Sequence, residues 1–417
     1  MRKLASICTI EKTWPLEGKD RVQGASFVEN GYEVMIGKDM NPGDKAVFIQ
    51  EGSILPIDSK WEFLRKRCYK ERLNGFLIVP QKFGSIKSWG LTISLKDAGL
   101  PESLQARDDV TDLLNIRKYD PEEYTPQVRK TGKQTFISKL LKYKLTRWLG
   151  KILLNIVSPA KESCAFPTDL ISKSDETTIQ NMKDAVEKFA ETNVYVTAKM
   201  EGQSVTVIPV FKRGKLTGLY PCSRNMAYPK ETVNDFWKAL KKYDLLHKMQ
   251  DLYKRTGHAY IIQAEQCGPG IQRNIYNFSE TKWFVYTIKD YQTGKQLNLY
   301  NAQEITRALG LEFVPVIASD LKLREIGTTV GGLVTLAENV VWYYDNKKQI
   351  VSTILYTDTH TLWKDCIQHE GVVIRSMDYD KDNNIGVSFK VKNIQYAEMG
   401  LSKIANVAQT LLHQIKK

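Results

Sequence analysis

The chain has few of the residues that build zinc sites or disulfide frameworks. It contains six cysteines and five histidines among 417 residues, and the cysteines are scattered without a C-x-x-C pair. Zinc sites and the disulfide frameworks of small secreted proteins use clustered or regularly spaced residues, so this pattern argues against both. We therefore infer an intracellular, reducing environment and expect a cytoplasmic protein. The same reasoning admits a nuclear protein or one of viral or phage origin.

A long uncharged apolar run is also missing. A membrane-spanning helix needs about 20 apolar residues, whereas the N-terminal run at 4–10 is short and is followed by Lys12. The sequence therefore predicts neither a signal peptide nor a membrane partner. A hydrophobic fraction of 42% is ordinary for a globular protein, and the length suits two or three domains with cores of their own. We expect a monomer.

Acidic residues are outnumbered by basic ones, 47 to 60, which gives a formal net charge of +13. Such an excess favours a polyanionic partner, although many basic proteins bind neither nucleic acid nor anionic membranes. Nine basic residues and no acidic one lie within 129–161, where apolar residues recur at helical spacing. We predict that 121–165 is a basic amphipathic connector, with its apolar face packed on a domain and its basic face available to phosphates.

The remaining chain divides into two regions of different pattern. Residues 1–120 are predicted to form short strands broken by turns, which suits a small β-barrel with an OB-like fold as one candidate. From residue 166 onward, strands and helices alternate. Strand-like runs lie at 194–198, 205–210, 259–264, 283–288, 371–374 and 387–391, and helical patterns lie at 179–189, 232–249 and 302–309. The predicted fold class is α+β, with a small barrel followed by a mixed α/β domain at 166–417.

One lysine stands at the end of a predicted strand. Lys199 follows the run Val194-Tyr195-Val196-Thr197-Ala198 and precedes Met200-Glu201-Gly202. Glycine lets a backbone approach a ligand closely, so this K-x-x-G stretch suits a phosphate site. Alone it carries little weight, because four-residue patterns of this kind occur by chance in many chains.

Further motifs follow Lys199 in a fixed order. They are an arginine in a turn, two glutamates at strand ends, an aromatic strand and a pair of lysines at period two. Their segments are Ser223-Arg224-Asn225, Glu265 before Cys267-Gly268, Trp283-Phe284-Val285-Tyr286, Glu370 before Gly371-Val372, and Lys390-Val391-Lys392. Period two places Lys390 and Lys392 on one face of a strand. Each of these residues alone more often lies at a solvated sheet edge, at a strand end or in a hydrophobic core without a catalytic role. It is therefore the ordered set that indicates a function.

The ordered set resembles the nucleotidyltransferase motifs shared by polynucleotide ligases and RNA-capping enzymes, and it is most similar to the Deinococcus/Naegleria type of RNA ligase. That family carries an OB module before its catalytic domain. Here the segments Gly43-Asp44-Lys45, Ser88-Trp89-Gly90 and Asp109-Val110-Thr111 resemble the module, and Phe166-Pro167 with Lys173-Ser174-Asp175-Glu176 resembles the start of the catalytic domain. The resemblance implies an OB-like nucleic-acid-binding module at 1–120 and an adenylyltransferase domain with ATP-grasp-like antiparallel sheets at 166–417.

The resemblance also implies an activity. An ATP-dependent RNA ligase would seal 3′-hydroxyl and 5′-phosphate ends, and we expect nicks in duplexes with RNA on the 3′-hydroxyl side. Lys199 would attack the α-phosphorus of ATP and carry AMP to the 5′ end. Lys390 and Lys392, with a divalent metal, would disfavour the ammonium form of Lys199 and neutralise charge on the phosphoryl oxygens. Glu370 would complete the catalytic set.

ATP and Mg²⁺ or Mn²⁺ are the implied cofactors. Hard cations prefer carboxylate oxygens, and the implied metal residues are Glu201, Glu265 and Glu370, where many family members have aspartate in place of Glu201. The implied contacts are Glu265 on the ribose, Arg224 on the ribose or on the phosphate region of the 3′ end, Phe284 and Val372 on the two sides of the adenine, and Lys173 on a phosphate. Tyr286 competes with Phe284 as the stacking residue.

Three alternatives share parts of this pattern. DNA ligases and capping guanylyltransferases use the same lysine chemistry but place their OB domain after the last motif. Only 25 residues (417 minus 392) follow Lys392 here, which leaves room for one helix and not for a barrel. A non-catalytic RNA-binding relative would not need the lysines and glutamates together. The sequence therefore favours the RNA ligase.

Overall fold

The computed structural model describes residues 3–83, 86–119, 163–344, 350–355, 366–394 and 396. The described residues fall into two compact units. The first unit holds those within Met1–Tyr119, Asp175–Glu201 and Val314–Lys417, and the second unit holds those within Asp120–Ser174 and Gly202–Phe313. The predicted connector at 121–165 lies outside the described residues except for 163–165. The predicted catalytic domain at 166–417 contributes to both units, and its boundaries stay a prediction.

The N-terminal region consists of short strands and very short helices. The strands are β1 (Ala5–Pro15), β2 (Val22–Phe27), β3 (Glu33–Gly37), β4 (Lys45–Gln50), β5 (Ser53–Leu55), β6 (Tyr69–Lys70), β7 (Gly75–Leu77), β8 (Gln81–Phe83), β9 (Ile86–Ser88), β10 (Gly90–Ser94) and β11 (Arg117–Lys118). The helices are two 3-10 helices (Ser59–Leu64 and Glu71–Leu73), α1 (Arg65–Cys68) and α2 (Leu95–Ala98).

Five of these strands form the predicted barrel. Their order is β10-β4-β1-β2-β3, and β10 also contacts β3, so the sheet nearly closes on itself. Strand β4 is apolar without alternation because both of its faces are covered. Phe48 packs inside the barrel with Phe27, whereas Val47 and Ile49 pack with Trp61 from the segment that follows β5. The expectation of an OB-like barrel is confirmed.

The rest of the described chain alternates strands and helices. Its strands are β12 (Cys164–Ala165), β13 (Asn193–Lys199), β14 (Gln203–Lys212), β15 (Lys215–Cys222), β16 (Met226–Ala227), β17 (Tyr260–Cys267), β18 (Lys282–Asp290), β19 (Glu312–Phe313), β20 (Val316–Lys322), β21 (Val340–Tyr344), β22 (Ile350–Leu355), β23 (Cys366–Gln368), β24 (Gly371–Ser376) and β25 (Ser388–Lys392). Its helices are a 3-10 helix (Ile179–Asn181), α3 (Ala185–Lys188), α4 (Asp235–Lys242), α5 (Leu245–Thr256), α6 (Leu299–Ala308), α7 (Leu323–Ile326) and α8 (Val330–Asn339).

In the first unit, an antiparallel sheet of four strands lies beside the barrel. Its order is β20-β13-β24-β25. One hydrophobic core contains Phe27 and Phe48 of the barrel together with Val196, Val372 and Phe389 of this sheet. The barrel is therefore not a loosely attached module, because it shares its interior with the strands that carry Lys199 and Lys392. Strands β22, β21 and β23 form a further small sheet.

In the second unit, a sheet of seven strands has the order β12-β16-β15-β14-β17-β18-β19. One face packs on helices α4 and α5 through a large core that includes Val207, Ile262 and Trp283. The opposite face carries a smaller core around Ile208 and Ile261. The α+β fold class with largely antiparallel sheets is confirmed. Across the residues described, no helix is long and apolar enough to cross a membrane.

The helix predicted at 232–249 is interrupted. Helix α4 ends at Lys242, and α5 begins at Leu245 after Asp244, which adopts a left-handed conformation with φ 51°. The buried stripe of α4 ends at Leu240 and that of α5 starts at Leu245. The step from Leu240 to Leu245 is five residues, whereas a helical turn has about 3.6. In one continuous helix the two sets of buried residues would therefore face different directions, and only one set would be buried. The helical pattern at 179–189 is likewise split into a 3-10 turn and α3.

Candidate active site

Lys199 ends strand β13 and lies in a row of three paired residues. It pairs with Gly371 of β24, and Gly371 pairs with Lys392 of β25. Residues paired directly across antiparallel strands point to the same face, and two strand spacings amount to about 10 Å. Lys390 lies two residues before Lys392 on that same face. The first unit thus brings together the three lysines that the sequence predicted.

Gly371 leaves the middle of this row open. Its φ is 146°, and a Cβ at this position would collide with the carbonyl oxygen of Val391. Only glycine fits here without strain. The row therefore offers two lysines on either side of a residue without a side chain, where an anion could approach the sheet closely.

Glu370 neutralises Lys199. Its Oε1 lies 2.5 Å from Lys199 Nζ, with 32% of the Glu370 side chain and 26% of the Lys199 side chain exposed. The backbone of Glu370 is fixed as well, because its carbonyl accepts a hydrogen bond from Asn393 N at 3.0 Å. Burial acts to raise the pKa of Glu370, but the charge and hydrogen bond of Lys199, helped by Lys392 and Lys390, hold that pKa below its usual value. Glu370 is therefore a carboxylate at neutral pH.

Lys392 has a carboxylate partner of its own that the sequence reasoning missed. Glu51, in the turn after β4 of the barrel, forms an ion pair with it. Only 20% of the Lys392 side chain and 12% of the Glu51 side chain are exposed. The two residues are 341 positions apart, so no local pattern in the sequence could have indicated the contact.

A second missed pair lies deeper in the same sheet. Arg375 Nη2 donates to Glu176 Oε1 at 2.8 Å, and Ser388 Oγ donates to Glu176 Oε2 at 2.6 Å. The side chains of Arg375 and Glu176 are 5% and 9% exposed. Burial acts to raise the pKa of Glu176, but Arg375, Ser388 and Lys381 outweigh it and lower that pKa. This pair ties the segment before β13 to strands β24 and β25.

Two other predicted residues of the first unit are buried. Glu201 is 5% exposed, two residues beyond Lys199. Val372 is fully buried in the core that the sheet shares with the barrel, on the opposite face of β24 from the lysine row. The structure therefore does not bring Val372 to the lysines, and its predicted contact with adenine stays a prediction.

The second unit assembles a different row. Ser204 of β14 pairs with Glu265 of β17, and Glu265 pairs with Phe284 of β18. All three lie on the face opposite to helices α4 and α5, because the alternate residues Val205 and Trp283 belong to the helix-covered core. Two residues with predicted nucleoside contacts, Glu265 and Phe284, are therefore neighbours on one face.

The two aromatic candidates on β18 differ in their surroundings. Phe284 is 3% exposed, and its ring stacks on Phe278 with centroids 5.7 Å apart and planes at 27°. Tyr286 is half-buried, and its hydroxyl lies 3.1 Å from Ser204 Oγ, which lies 3.2 Å from Ser174 Oγ. A chain of hydroxyl groups thus runs along this face beside Glu265.

The glycine of the K-x-x-G stretch is required by packing in the second unit. A Cβ on Gly202 would collide with the carbonyl oxygen of Gln266 and would lie 2.8 Å from Glu265 Cγ and 3.0 Å from Cys267 Sγ. Gly202 therefore lets the chain pass directly against the end of β17, next to Glu265.

Arg224 and Lys173 are close in the second unit. Arg224 lies in the turn between β15 and β16, which is closed by a hydrogen bond from Ser223 N to Met226 O at 2.8 Å. Lys173 Nζ donates to the side chain of the next residue, Asn225 Oδ1, at 2.9 Å. The structure thus places both predicted cations at one turn.

The carboxylates suit a hard cation that also binds substrate. Nowhere in the described ranges do three His, Cys, Asp or Glu side chains cluster closely enough to hold a metal ion by themselves. Mg²⁺ is commonly held by one or two carboxylates together with phosphate oxygens and water. Glu370 and Glu201 supply such oxygens in the first unit, so the donor set fits a cation that binds with a phosphate ligand.

Three features of the structure are those expected of a nucleotidyltransferase with an N-terminal OB module. They are an OB-like barrel, antiparallel sheets and a strand-end lysine flanked by further lysines. Residues 192–392 match the RNA ligase family model, and residues 4–95 match a model for an OB-fold domain. The chain therefore contains a region that matches RNA ligases behind a region that matches an OB-fold domain, and these matches confirm the resemblance predicted from its motifs. Among curated proteins, none matches the chain.

Solved structures of an RNA ligase from Naegleria gruberi match nearly the whole chain. The form with PPi is 21% identical, with 96% of this chain and 99% of that chain covered and a TM-score of 0.69. A mutant with ATP and Mn is 21% identical, with 96% and 98% covered and a TM-score of 0.68. A mutant with AMP and Mn is 22% identical, with 95% and 99% covered and a TM-score of 0.68. At this level of identity the likeness shows the fold alone.

Proposed function

We propose that this protein is an ATP-dependent ligase that joins a 3′-hydroxyl end of RNA to a 5′-phosphate end through an adenylate on Lys199. The observation that carries the proposal is the row Lys199, Gly371 and Lys392 within an RNA ligase domain. The ATP, AMP and Mn found with the Naegleria gruberi ligase support the choice of nucleotide and metal.

The first step uses Lys199 as the nucleophile. Its neutral amine attacks the α-phosphorus of ATP, a P–N bond forms, and the bond to the bridging oxygen breaks with the electron pair leaving on pyrophosphate. The amine must first give up a proton to water; the nearby cations Lys390 and Lys392 favour that loss, whereas the carboxylate of Glu370 beside the amine opposes it. In the following steps AMP passes to the 5′-phosphate, and the 3′-hydroxyl displaces it.

Lys390 and Lys392 have a second role in this mechanism. As the α-phosphorus is attacked, negative charge grows on its oxygens, and ammonium groups fixed beside Gly371 stabilise that charge. Because Gly371 has no side chain, the phosphoryl group would approach the sheet between Lys199 and Lys392 without a steric conflict. Glu370 orients the amine of Lys199 before the reaction.

A divalent metal, Mg²⁺ or Mn²⁺, would neutralise phosphate charge when it is bound, and in the first unit Glu370 and Glu201 are the residues we assign to it or to its waters, together with phosphate oxygens. Glu265 of the second unit is our separate candidate for a metal contact. The assignment of Glu201 rests on the position where many family members have aspartate. Glu201 keeps the carboxylate and adds one methylene.

In the second unit we assign contacts with the nucleoside. Phe284 is our stacking residue for adenine, Glu265 accepts from the ribose, and Arg224 and Lys173 bind ribose or phosphate. Glu265 and Phe284 support this assignment because they are paired across β17 and β18 on one face. Tyr286 is the second candidate for stacking, since it is less buried than Phe284.

The nucleotide and the nucleophile are tested in one experiment. The protein is incubated with Mn²⁺ and either α-labelled ATP or α-labelled GTP, and covalent label is measured on a denaturing gel. We expect label from ATP that is lost in Lys199→Ala, and unchanged label in Lys212→Ala, an exposed lysine at the end of β14. Label from GTP alone would indicate capping, and the absence of label would indicate an RNA-binding protein.

The nucleic acid is tested by sealing. Nicked duplexes with either RNA or DNA on the 3′-hydroxyl side are compared, and the sealed product is measured over time. We expect RNA to be sealed faster. Equal sealing of a DNA 3′ end would contradict the proposed substrate and favour a DNA ligase, while leaving the lysine chemistry intact.

A further inference from the structure

Glu51 belongs to the barrel but reaches the lysine row of the four-stranded sheet. It follows β4 directly, and Gly52 after it adopts a left-handed conformation with φ 76°. Its carboxylate pairs with Lys392, which lies in register with Gly371. The ion pair is largely shielded, with 12% of the Glu51 side chain exposed. It is therefore more than a solvated surface pair, whose net contribution to stability is usually small.

The position of Glu51 beside β25 is fixed by neighbouring contacts within the first unit. Gly31 N of the barrel donates to Gln180 O at 2.9 Å, and on the other side of that segment Lys390 N of β25 donates to Thr177 O at 2.8 Å. Phe48 of β4 shares its core with Phe389. The carboxylate of Glu51 thus stands on a backbone that is held against the strand carrying Lys390 and Lys392.

A carboxylate beside Lys392 has two opposite consequences for a phosphate ligand. It competes for the ammonium, and it also holds a long, flexible side chain in one place. A lysine ammonium has three N–H donors, so a bond to Glu51 leaves two for phosphate oxygens. An unrestrained lysine side chain would lose much rotamer freedom when it is ordered. The ordering effect therefore matters when charge develops on the phosphoryl group, whereas the competing effect acts mainly on ground-state binding.

We propose that Glu51 of the OB-fold domain is a positioning residue for nucleotidyl transfer, which holds the Lys392 ammonium in place beside Gly371. This inference rests on the proposed function. It gives the barrel a part in the first step, in which no nucleic acid takes part. Removing the charge of Glu51 would make the row more positive, so ATP would bind at least as well, but Lys392 would no longer be held for the transition state.

The test is the rate of covalent labelling of the full chain over a range of ATP concentrations. For Glu51→Gln we expect the rate at saturating ATP to fall about tenfold, while the KM for ATP is unchanged or lower. Glu51→Asp, which keeps the charge, should recover part of the rate. The matched control is Glu17→Gln, an exposed glutamate of the same domain, which should behave as the unmodified protein.

A double variant tests whether Glu51 acts through Lys392. If it does, Glu51→Gln causes no further loss once Lys392→Met has been introduced, because residues that act as a unit are not additive. A thermal unfolding curve of each variant separates a loss of rate from a loss of folded protein. Glu51→Asp, which keeps the ion pair's charges, is the variant to compare if Glu51→Gln unfolds.

Four results would overturn the inference. The first is a rate for Glu51→Gln equal to that for Glu17→Gln, and the second is faster labelling with a lower KM, which would make Glu51 a restraint on Lys392. The third is a raised KM with an unchanged saturating rate, and the fourth is an equal rate for Glu51→Asp and Glu51→Gln in folded protein. Labelling that does not depend on Lys199 would instead contradict the proposed function.

Discussion

The two sheets that carry the candidate residues present different kinds of side chain. The four-stranded sheet of the first unit presents lysines, and two of them have a carboxylate partner, Glu370 for Lys199 and Glu51 for Lys392. The face of the seven-stranded sheet in the second unit presents Glu265 beside aromatic rings and a chain of hydroxyl groups.

This difference indicates that the two sheets have different roles, one in the chemical step and one in nucleotide binding. Fixed ammonium groups stabilise charge that develops on phosphoryl oxygens, so the first sheet should govern the rate of the chemical step. Aromatic rings and hydroxyl groups recognise a neutral base and ribose equally well before and during the reaction. The second sheet should therefore govern binding. Substitutions in the two sheets should separate kcat from KM.

The largest effect is expected for Lys199→Arg. A guanidinium keeps the positive charge but is not deprotonated in proteins, so it cannot act as a nucleophile. We expect the rate of covalent labelling to fall at least about 1000-fold. Lys390→Arg is the matched control and should lose only about tenfold, because its role requires charge and not a free amine. Label on the Lys199→Arg protein would show that the nucleophile lies elsewhere.

The next largest effect is on the free energy of unfolding, and it concerns the four-stranded sheet of the first unit. Glu176→Gln leaves the buried guanidinium of Arg375 without its counter-charge, which should reduce the free energy of unfolding by about 3 kcal/mol. Urea unfolding at pH 7 measures it. Glu187→Gln, an exposed glutamate on α3, is the control and should change stability by less than about 0.5 kcal/mol.

The same variant should also lose acid sensitivity. Because the folded-state pKa of Glu176 is lowered from 4.5, its ionisation stabilises the fold above the unfolded-state pKa, and that contribution is lost as the pH falls through the folded-state pKa. Glu176→Gln lacks this contribution at every pH, so its stability should change less than that of the unmodified protein as the pH falls from 7 to well below 4.5. Equal changes in both proteins would show that the acid sensitivity arises from other groups.

Sequence reasoning succeeded where the relevant signal is local. Strand β13 before Lys199 follows from an apolar β-branched run, and the shared face of Lys390 and Lys392 follows from their spacing of two. The Glu51–Lys392 and Glu176–Arg375 pairs join residues 341 and 199 positions apart. Such contacts depend on strand order and register, which periodicity does not encode.

The interrupted helix at 232–249 shows a different limit. Most of its residues suit a helix, but the two sets of buried residues are out of phase, and packing against the seven-stranded sheet decides that both are buried. The pairing of Glu265 with Phe284 is similar. Each residue was identified by its motif, whereas their common row depends on the register between β17 and β18.

A smaller effect should separate binding from chemistry in the second unit. Phe284→Leu keeps an apolar side chain but removes the ring, which should raise the KM for ATP about tenfold with little change in kcat. Tyr286→Phe removes only the hydroxyl group near Ser204 and should raise KM about threefold. If Tyr286→Leu raises KM far more than Phe284→Leu does, then Tyr286 is the stacking residue. A fall in kcat for Phe284→Leu without a change in KM would contradict the proposal that the second sheet governs binding and the first sheet governs the chemical step.

The smallest effect is expected at Glu201, which lies two residues after Lys199 in the first unit but carries a carboxylate like that of Glu265. Glu201→Asp restores the residue that many family members have and keeps the charge, so labelling should change only about twofold. Labelling at several Mn²⁺ concentrations is the measurement. Glu201→Gln keeps the length and removes the charge, so it should require more Mn²⁺ for the same rate. If Glu201→Asp is as impaired as Glu201→Gln, the length of the buried side chain is what matters, and Glu201 belongs to the packing of the first unit and not to the metal.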